Sequence, residues 1–418
     1  MVCRLVHAIS LSAAGTVVVA GALVGAPAVA AGPSTVPTAE ERLYDAGKVP
    51  GSLVASAGLE RYPRELTRAL ARARTVDDAE RAAEQSSRAV WRAAVQRVQS
   101  GTDGFTADDR PLYWTRLAMI RAVRDWRPGF AVPDARRAVI VTAIDEVSRG
   151  QRRAPSGRTV LVTGFDPFRL TRDIRQGNPS GAIALALDGT RIDTPSGPVT
   201  VVAMTFPVRW RDFGAGMVER AVTPFLQPGP SRSVGFTTVS QGRPGRFDLE
   251  AINGVWRGGA VDNEAACFRG EAPVAGVAPQ WTRSTLPMRA VGAAARGRYP
   301  VVRNSEIAYA TETNPPVSTT CGLPALDATT TTGEPPVGAL ARQGAGGDYL
   351  SNEIGYRVTL VRDRLAAPVP GGHLHTPVLD GLPADRSVVD SAQYRANLAA
   401  IVAQARSVVA VVARGERG

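Results

Sequence analysis

The hydrophobic pattern changes once along the chain. In the first third, apolar side chains recur every three or four positions, which is the period of amphipathic α-helices. Further on, short β-branched runs bounded by glycine and proline alternate with helical stretches, which is typical of an α/β domain. The pattern therefore predicts a helical N-terminal region over residues 31–150, a linker over 151–157 and an α/β domain over 158–418.

Helix start signals support the helical interpretation of the N-terminal region. Thr75 is followed by two aspartates, as in an N-cap with acids in the first turn, and Thr106 precedes a second acidic pair. Residues 39–150 contain no histidine, no cysteine and no glycine-rich phosphate loop. We therefore interpret this region as a helical cap or prosegment-like domain. The apolar positions at helical spacing after the two caps are Val90, Trp91, Ala94, Val95 and Val98, then Tyr113, Leu117, Ile120 and Val123.

Short apolar runs and a long closing helix predict the α/β domain. Because strands alternate with helical stretches, we expect a mostly parallel sheet with helices on both faces, an α/β/α sandwich. Gly164 is expected to end the first strand and to leave Phe165 in a loop. Residues 305–344, rich in Thr, Pro and Gly, predict an irregular surface insertion. The predicted strands cover residues 159–163, 199–206, 233–239, 299–304 and 372–377, and the closing helix covers 391–413.

The N-terminus has the features of a secretory signal peptide over residues 1–30. Arg4 supplies a positive charge, a mostly apolar run follows, and Ala28-Val29-Ala30 matches a small-x-small cleavage site. Because the run is short and no stop-transfer charges follow, we expect a secreted protein without a membrane anchor after signal removal. In an oxidising compartment the two remaining cysteines, Cys267 and Cys321, are expected to form a disulfide.

Composition narrows the classes of function. An apolar fraction of 44% is enough for a full core, so disorder is not expected. The formal net charge of +11 comes almost entirely from arginine, since Lys48 is the single lysine. Because the basic residues are spread along the chain and form no block, no nucleic-acid partner is predicted.

His373 and His375 are the two histidines that follow the predicted signal peptide. On a strand their side chains point to the same face. Three interpretations are open: a metal site, for which no third ligand has a known position; two structural histidines at a strand end; or a general base, which we favour. Phe165 and Phe168 come just after a buried strand, where open α/β sheets bind ligands, although the rings could instead fill core.

The segment TVLVTGFDPF at residues 159–168, followed by Asn178-Pro179-Ser180, resembles the opening of type I pyroglutamyl peptidases. In that family a strand leads into G-F-E-P-F and then N-P-S. The resemblance continues in the same order over most of the second domain, residues 158–415. The further similar stretches are residues 243–253, Asp262-Asn263-Glu264, Ser284-Thr285-Leu286-Pro287, residues 347–353 and residues 372–377.

The resemblance assigns catalytic roles to individual residues. Residues 347–353 match the family's G-T-Y-V-C-N-H, so that Ser351 stands where the family has its nucleophilic cysteine. The family's G-F-I-H-V-P places its catalytic histidine on His375. The family's orienting acid falls on Glu250, with Asp248 as the alternative occupant because the spacing there is shorter by two residues.

The resemblance also implies a substrate pocket. Phe165 and Phe168 are expected to hold the lactam ring, with Asn178 as a further binding residue. The family's arginine before D-N-E falls on Gly259 here, with Arg257 nearby, so that contact is a departure from the family pattern. Neither a metal nor a cofactor is implied.

Two functions follow from these residues. The favoured one is a secreted hydrolase that removes N-terminal pyroglutamate from peptides through Ser351. The alternative is a catalytically inactive protein that binds blocked peptide N-termini. A thiol with a pKa of about 8.5 is partly ionised at neutral pH, whereas a hydroxyl is not, so Ser351 needs its base at the moment of attack. The sequence leaves the oligomeric state open.

Overall fold

The computed structural model describes residues 36–101 and 107–415. The predicted signal peptide and Thr106 lie outside these residues. From Ala39 to Val147 the described chain is helical, as predicted, and Thr75 forms a capping box with Asp78. The helices of this region are α1 (Ala39–Asp45), α2 (Lys48–Ser56), α3 (Arg61–Arg72), α4 (Val76–Ser100), α5 (Arg110–Asp125) and α6 (Asp134–Val147).

The second domain alternates strands and helices. Its strands are β1 (Thr159–Phe165), β2 (Arg191–Ile192), β3 (Val199–Phe206), β4 (Phe236–Gln241), β5 (Phe247–Glu250), β6 (Ile252–Gly254), β7 (Trp256–Gly258), β8 (Arg269–Glu271), β9 (Trp281–Arg283), β10 (Val301–Asn304), β11 (Glu306–Ala310), β12 (Thr329–Thr332), β13 (Leu340–Gln343) and β14 (Gly371–Thr376). Its helices are α7 (Pro179–Leu187), α8 (Trp210–Gly214), α9 (Met217–Leu226), α10 (Met288–Ala294), α11 (Leu350–Arg364) and α12 (Ala392–Ala413).

A central sheet organises this domain. Among the described residues it contains seven strands in the order β10-β5-β14-β4-β1-β3-β2. The pairs β1–β3, β1–β4, β4–β14 and β5–β10 are parallel, whereas β5–β14 and β2–β3 are antiparallel. The sheet is therefore mostly parallel, as the alternating pattern predicted.

The side chains of β1 alternate between two cores. Val160 and Val162 belong to the core that contains α7, α12 and the N-terminal helices. Leu161 and Phe165 belong to the core on the other side, formed with α8, α9 and α11. Helices thus cover both faces of the sheet, which confirms the α/β/α sandwich.

The predicted end of the first strand was wrong. β1 continues through Gly164 to Phe165, which pairs with Phe206 in β3. A Cβ atom at Gly164 would lie 2.1 Å from the carbonyl oxygen of Ser180 at the start of α7. The glycine is therefore required by the close approach of α7 to the strand, and it does not interrupt the strand.

The segment over residues 305–344 is more regular than predicted. Within it, β11 pairs in antiparallel fashion with both β12 and β13. The threonine run at Thr329–Thr332, which the composition assigned to irregular structure, forms an edge strand, in line with the β propensity of threonine.

Other boundaries moved by a few residues. β4 begins at Phe236 although the prediction began at residue 233, while β3 and the closing helix agree with their predicted ranges. By length and composition α12 could cross a membrane, but most of its apolar stretch is buried in the structure, as in a core helix. The predicted disulfide is confirmed: Cys267 and Cys321 are bonded, with their Cα atoms 5.3 Å apart.

Candidate active site

Glu250 and His375 form a buried pair on neighbouring strands of the sheet. β5 and β14 are antiparallel neighbours, and Glu250 Oε1 lies 2.6 Å from His375 Nδ1. Asn304 at the end of β10 donates its side-chain amide to Glu250 Oε2 at 2.8 Å. The carboxylate favours the tautomer with the proton on Nδ1, so the lone pair of His375 is on Nε2. In the described part of the chain no group hydrogen-bonds Nε2.

Asp248, the alternative acid, has other partners. It lies opposite His375 in the β5–β14 register, but its carboxylate pairs with Arg243 at 3.1 Å and Arg246 at 2.9 Å. Both arginines are partly exposed and Asp248 is buried. The geometry thus places Glu250, and not Asp248, on the imidazole.

Both ring nitrogens of His373 have hydroxyl partners, which indicates a structural role. Its Nδ1 lies 2.8 Å from the Thr238 hydroxyl and its Nε2 lies 2.8 Å from the Ser240 hydroxyl. Burial, and to a lesser degree the neighbouring His375, hold the pKa of His373 well below its usual range. The two imidazoles meet edge to face, with ring centroids 4.6 Å apart, so they do share one face of the sheet. Among the described residues no group of three or more potential ligands could hold a metal ion.

Ser351 lies in the first turn of α11. Its hydroxyl donates to the carbonyl oxygen of Gly346 at 3.3 Å. A Cβ atom at Gly346 would lie 3.2 Å from His375 Cε1, so the same glycine borders both side chains. Gly344 and Gly347 exchange two backbone hydrogen bonds of 2.9 Å, and the φ of +87° at Gly347 favours glycine in this turn.

The residues after Ser351 fix the start of α11. Asn352 bonds both the N–H and the carbonyl of Gly254, at 3.0 and 2.7 Å. Glu353 accepts two bonds from Arg257, at 2.6 and 2.5 Å, and one from Arg357. Burial alone would raise the pKa of Glu353, but the two guanidinium charges outweigh it and lower the pKa. Arg257, near the position of the family's arginine, is therefore engaged in a structural ion pair.

The predicted substrate residues differ in accessibility. Phe165 is buried and stacks on Phe213, with ring centroids 5.9 Å apart. Phe168 is partly exposed and borders a cavity. Asn178 caps α7: its Oδ1 accepts from Ser180 N at 3.1 Å, and its amide donates to Asp166 O at 2.9 Å. Of the three, Phe168 is thus the side chain that lies at the surface of a pocket.

The N-terminal helices hold the aromatic loop, which is the segment between Phe165 and Phe168. This contact was not evident from the sequence. Asp166, between the two phenylalanines, accepts from Arg116 in α5 at 2.8 Å and from Arg149, just after α6, at 2.7 Å. All three side chains are buried. Charged groups this far from water are stable only when paired, so the loop and the helical region depend on each other.

A second contact joins α1 to the D-N-E stretch. The side-chain amide of Asn263 donates to Glu40 at 2.9 Å and to the carbonyl of Pro167, also at 2.9 Å. Burial raises the pKa of the Glu40 carboxyl despite the opposing charge of Arg209. The D-N-E motif therefore connects the helical region to the loop of Phe168.

Comparison with known proteins places the chain among relatives of undetermined function. A family model described as the PA0049 N-terminal domain matches residues 24–145, and one for the PA0049 C-terminal domain matches residues 159–325 and 297–380. The uncharacterized protein PA0049 of Pseudomonas aeruginosa is 32% identical over 421 aligned positions, covering 78% of this chain and 76% of that protein.

Solved structures of two peptidases are also similar. Pyrrolidone carboxyl peptidase from Pyrococcus furiosus is 22% identical with a TM-score of 0.38, covering 60% of this chain and 97% of that chain. Pyroglutamyl peptidase I from Bacillus amyloliquefaciens is 17% identical with a TM-score of 0.38, covering 60% and 96%. TM-scores of this size carry no argument about chemistry. The matches to both domain models and to the Pseudomonas protein show that the chain belongs to the PA0049 family.

Proposed function

We propose that the protein is a hydrolase that removes an N-terminal pyroglutamyl group from peptides. Ser351 is the nucleophile, His375 the general base and Glu250 the acid that orients the imidazole. The observation that carries this proposal is the 2.6 Å contact between Glu250 and His375, beside the helix start that presents Ser351. A nucleophile, a base and an orienting acid recur in this arrangement on unrelated folds.

The proposed reaction uses these groups in two steps. Ser351 Oγ attacks the exocyclic carbonyl of the pyroglutamyl group, and its proton passes to His375 Nε2. The C–N bond then breaks, and the leaving amine takes that proton. Water attacks the resulting ester, again giving a proton to Nε2, which returns it to Oγ as the acid is released.

The start of α11 supports charge stabilisation in these steps. The first amides of an α-helix have no intrahelical partner, and the helix dipole favours negative charge at this end. Ser351 is the second residue of α11. An oxyanion formed on a carbonyl attacked by Ser351 therefore develops beside these amides. The amides substitute for Arg257, which is held by Glu353 and is not available to the oxyanion.

We further propose that the protein acts outside the cytoplasm. The expected signal peptide supports this, and the Cys267–Cys321 bond fits an oxidising compartment. A peptide with a pyroglutamyl N-terminus is the proposed substrate.

The alternative, an inactive binding protein, has one observation in its favour. The Ser351 hydroxyl donates to Gly346 and not to His375. Activation therefore requires a rotation of the Ser351 side chain toward the imidazole when substrate binds. Hydrogen bonds in empty active sites commonly tighten only in the substrate complex.

Hydrolysis of a chromogenic pyroglutamyl amide separates the two functions. We expect the wild type to release the chromophore and Ser351→Ala to lose at least about 10³-fold in kcat. Ser52→Ala is the matched control, because Ser52 is an exposed serine that also donates to a backbone carbonyl. Equal rates for wild type and Ser351→Ala contradict the proposed nucleophile. Binding of pyroglutamyl peptides without any turnover supports the inactive alternative.

A further inference from the structure

A cavity of about 310 Å³ lies beside Phe168, on the edge of the sheet where β4 and β14 end. Gln241, the last residue of β4, lines it and pairs with Thr376, the residue after His375. Gly242 follows, and a Cβ atom there would lie 2.5 Å from His375 Cβ. The cavity therefore lies one residue along the chain from the glycine that packs on His375, and it shares Phe168 with the proposed lactam pocket.

The mouth of the cavity carries positive charge. Arg169 and Arg172 line it and are exposed, and neither forms an ion pair in the described part of the chain. Two acids also line the cavity, but they have partners. Asp173 is neutralised by Arg175 at 2.8 Å, whereas Asp380 accepts from the neutral amide of Asn397 and keeps its charge, so the two arginines leave the lining with a net charge of +1.

The backbone at Arg169 is strained. Its φ of +58° lies in the left-handed region, which favours glycine. A non-glycine residue there is strained, and such strain clusters at ligand-binding sites. The guanidinium lies over the Phe168 ring, 5.3 Å from its centroid. Its charge opposes the effect of burial, which raises the pKa of Tyr349 just before α11. An arginine at this position thus places its charge at the cavity, over the ring of Phe168.

We propose that this cavity is a subsite for a carboxylate on the residue that follows the pyroglutamyl group. Arg169 and Arg172 bind the carboxylate, while Val378, Leu379 and Phe168 contact the aliphatic part of the same residue. The carboxylate comes either from an acidic side chain or from the C-terminus of a dipeptide. This inference rests on the proposed function, because it takes the substrate to extend from the pocket of Phe168.

Equilibrium binding to the Ser351→Ala variant tests the subsite without turnover. The ligands are pyroglutamyl-glutamate amide, pyroglutamyl-glutamine with a free C-terminus, and the neutral pyroglutamyl-glutamine amide. We expect at least one charged ligand to bind about tenfold more tightly than the neutral one. The one that gains identifies the source of the carboxylate, side chain or C-terminus.

Substitutions assign the preference to the cavity. Adding Arg169→Gln and Arg172→Gln should abolish the tenfold difference, while adding Arg289→Gln, an exposed arginine on α10, should leave it unchanged. Equal binding of all three ligands, or a preference that survives in the double arginine variant, overturns the subsite, as does a failure of every ligand to bind. A preference lost in the double arginine variant, in a protein whose wild type cleaves none of these peptides, supports the subsite and contradicts the proposed hydrolysis.

Discussion

Glu250 reaches past His373, the residue opposite to it in the β5–β14 register, and contacts His375 Nδ1 at 2.6 Å. This diagonal contact separates the two histidines by role. His375 has an acid on one nitrogen and no hydrogen-bond partner among the described residues on the other, while both nitrogens of His373 are bonded to hydroxyls.

The first prediction separates Glu250 from Asp248. Glu250→Gln should lower kcat on a pyroglutamyl amide by roughly 10²–10⁴-fold, because a neutral amide does not stabilise the imidazolium formed during attack. Asp248→Asn should retain kcat but lower the melting temperature, since it weakens the pairs with two arginines. The opposite pattern of rates would make Asp248 the orienting acid.

A second prediction concerns the link between the helical region and the aromatic loop. Asp166→Asn removes the carboxylate that pairs with Arg116 and one of the two that pair with Arg149, the other being Asp145, so we expect a loss of about 3–5 kcal/mol in the free energy of unfolding. Denaturant unfolding followed by tryptophan fluorescence measures it. Asp193→Asn is the control, because the Arg191–Asp193 pair is exposed and should contribute nothing measurable. Equal stabilities of the two variants would show that the buried network is dispensable.

The pKa of His373 leads to a third prediction. Because this pKa is lowered in the folded protein, the unfolded state binds the additional proton as the pH falls below about 6.5. His373 therefore contributes stability above this pH, and the contribution is lost at lower pH by up to about 1.4 kcal/mol per pH unit. The stability advantage of wild type over His373→Asn should shrink between pH 7.5 and pH 5. An advantage that stays constant in urea unfolding at both pH values would contradict the burial argument.

The sequence was informative where the physics is local. The short apolar run of β3 and the long apolar face after Ser391 predicted a strand and a helix that the structure contains. The period of two in a strand predicted that His373 and His375 share a face, which their ring contact confirms. Gly164 was misinterpreted because a glycine that ends a strand and one that admits a neighbouring helix are the same residue in the sequence.

Contacts between distant segments could not be predicted in this way. The choice between Glu250 and Asp248 depends on side-chain reach across β5 and β14, since both carboxylates lie on the same face. Asn304, which holds Glu250 from β10, gives no signal in the sequence beyond its place at a strand end. The pairs of Asp166 with Arg116 and Arg149 join two domains, and the many arginines of the chain conceal which of them are buried.

The most direct test of the account is detection of the acyl-enzyme. Wild-type protein and Ser351→Ala are mixed with an activated pyroglutamyl ester, quenched with acid within the first turnovers, and digested for mass spectrometry. The account predicts a pyroglutamyl group on the peptide that contains Ser351, present in the wild type and absent in the variant. Turnover without an adduct on that peptide would contradict Ser351 as the nucleophile, and the absence of both adduct and turnover would contradict the hydrolase itself.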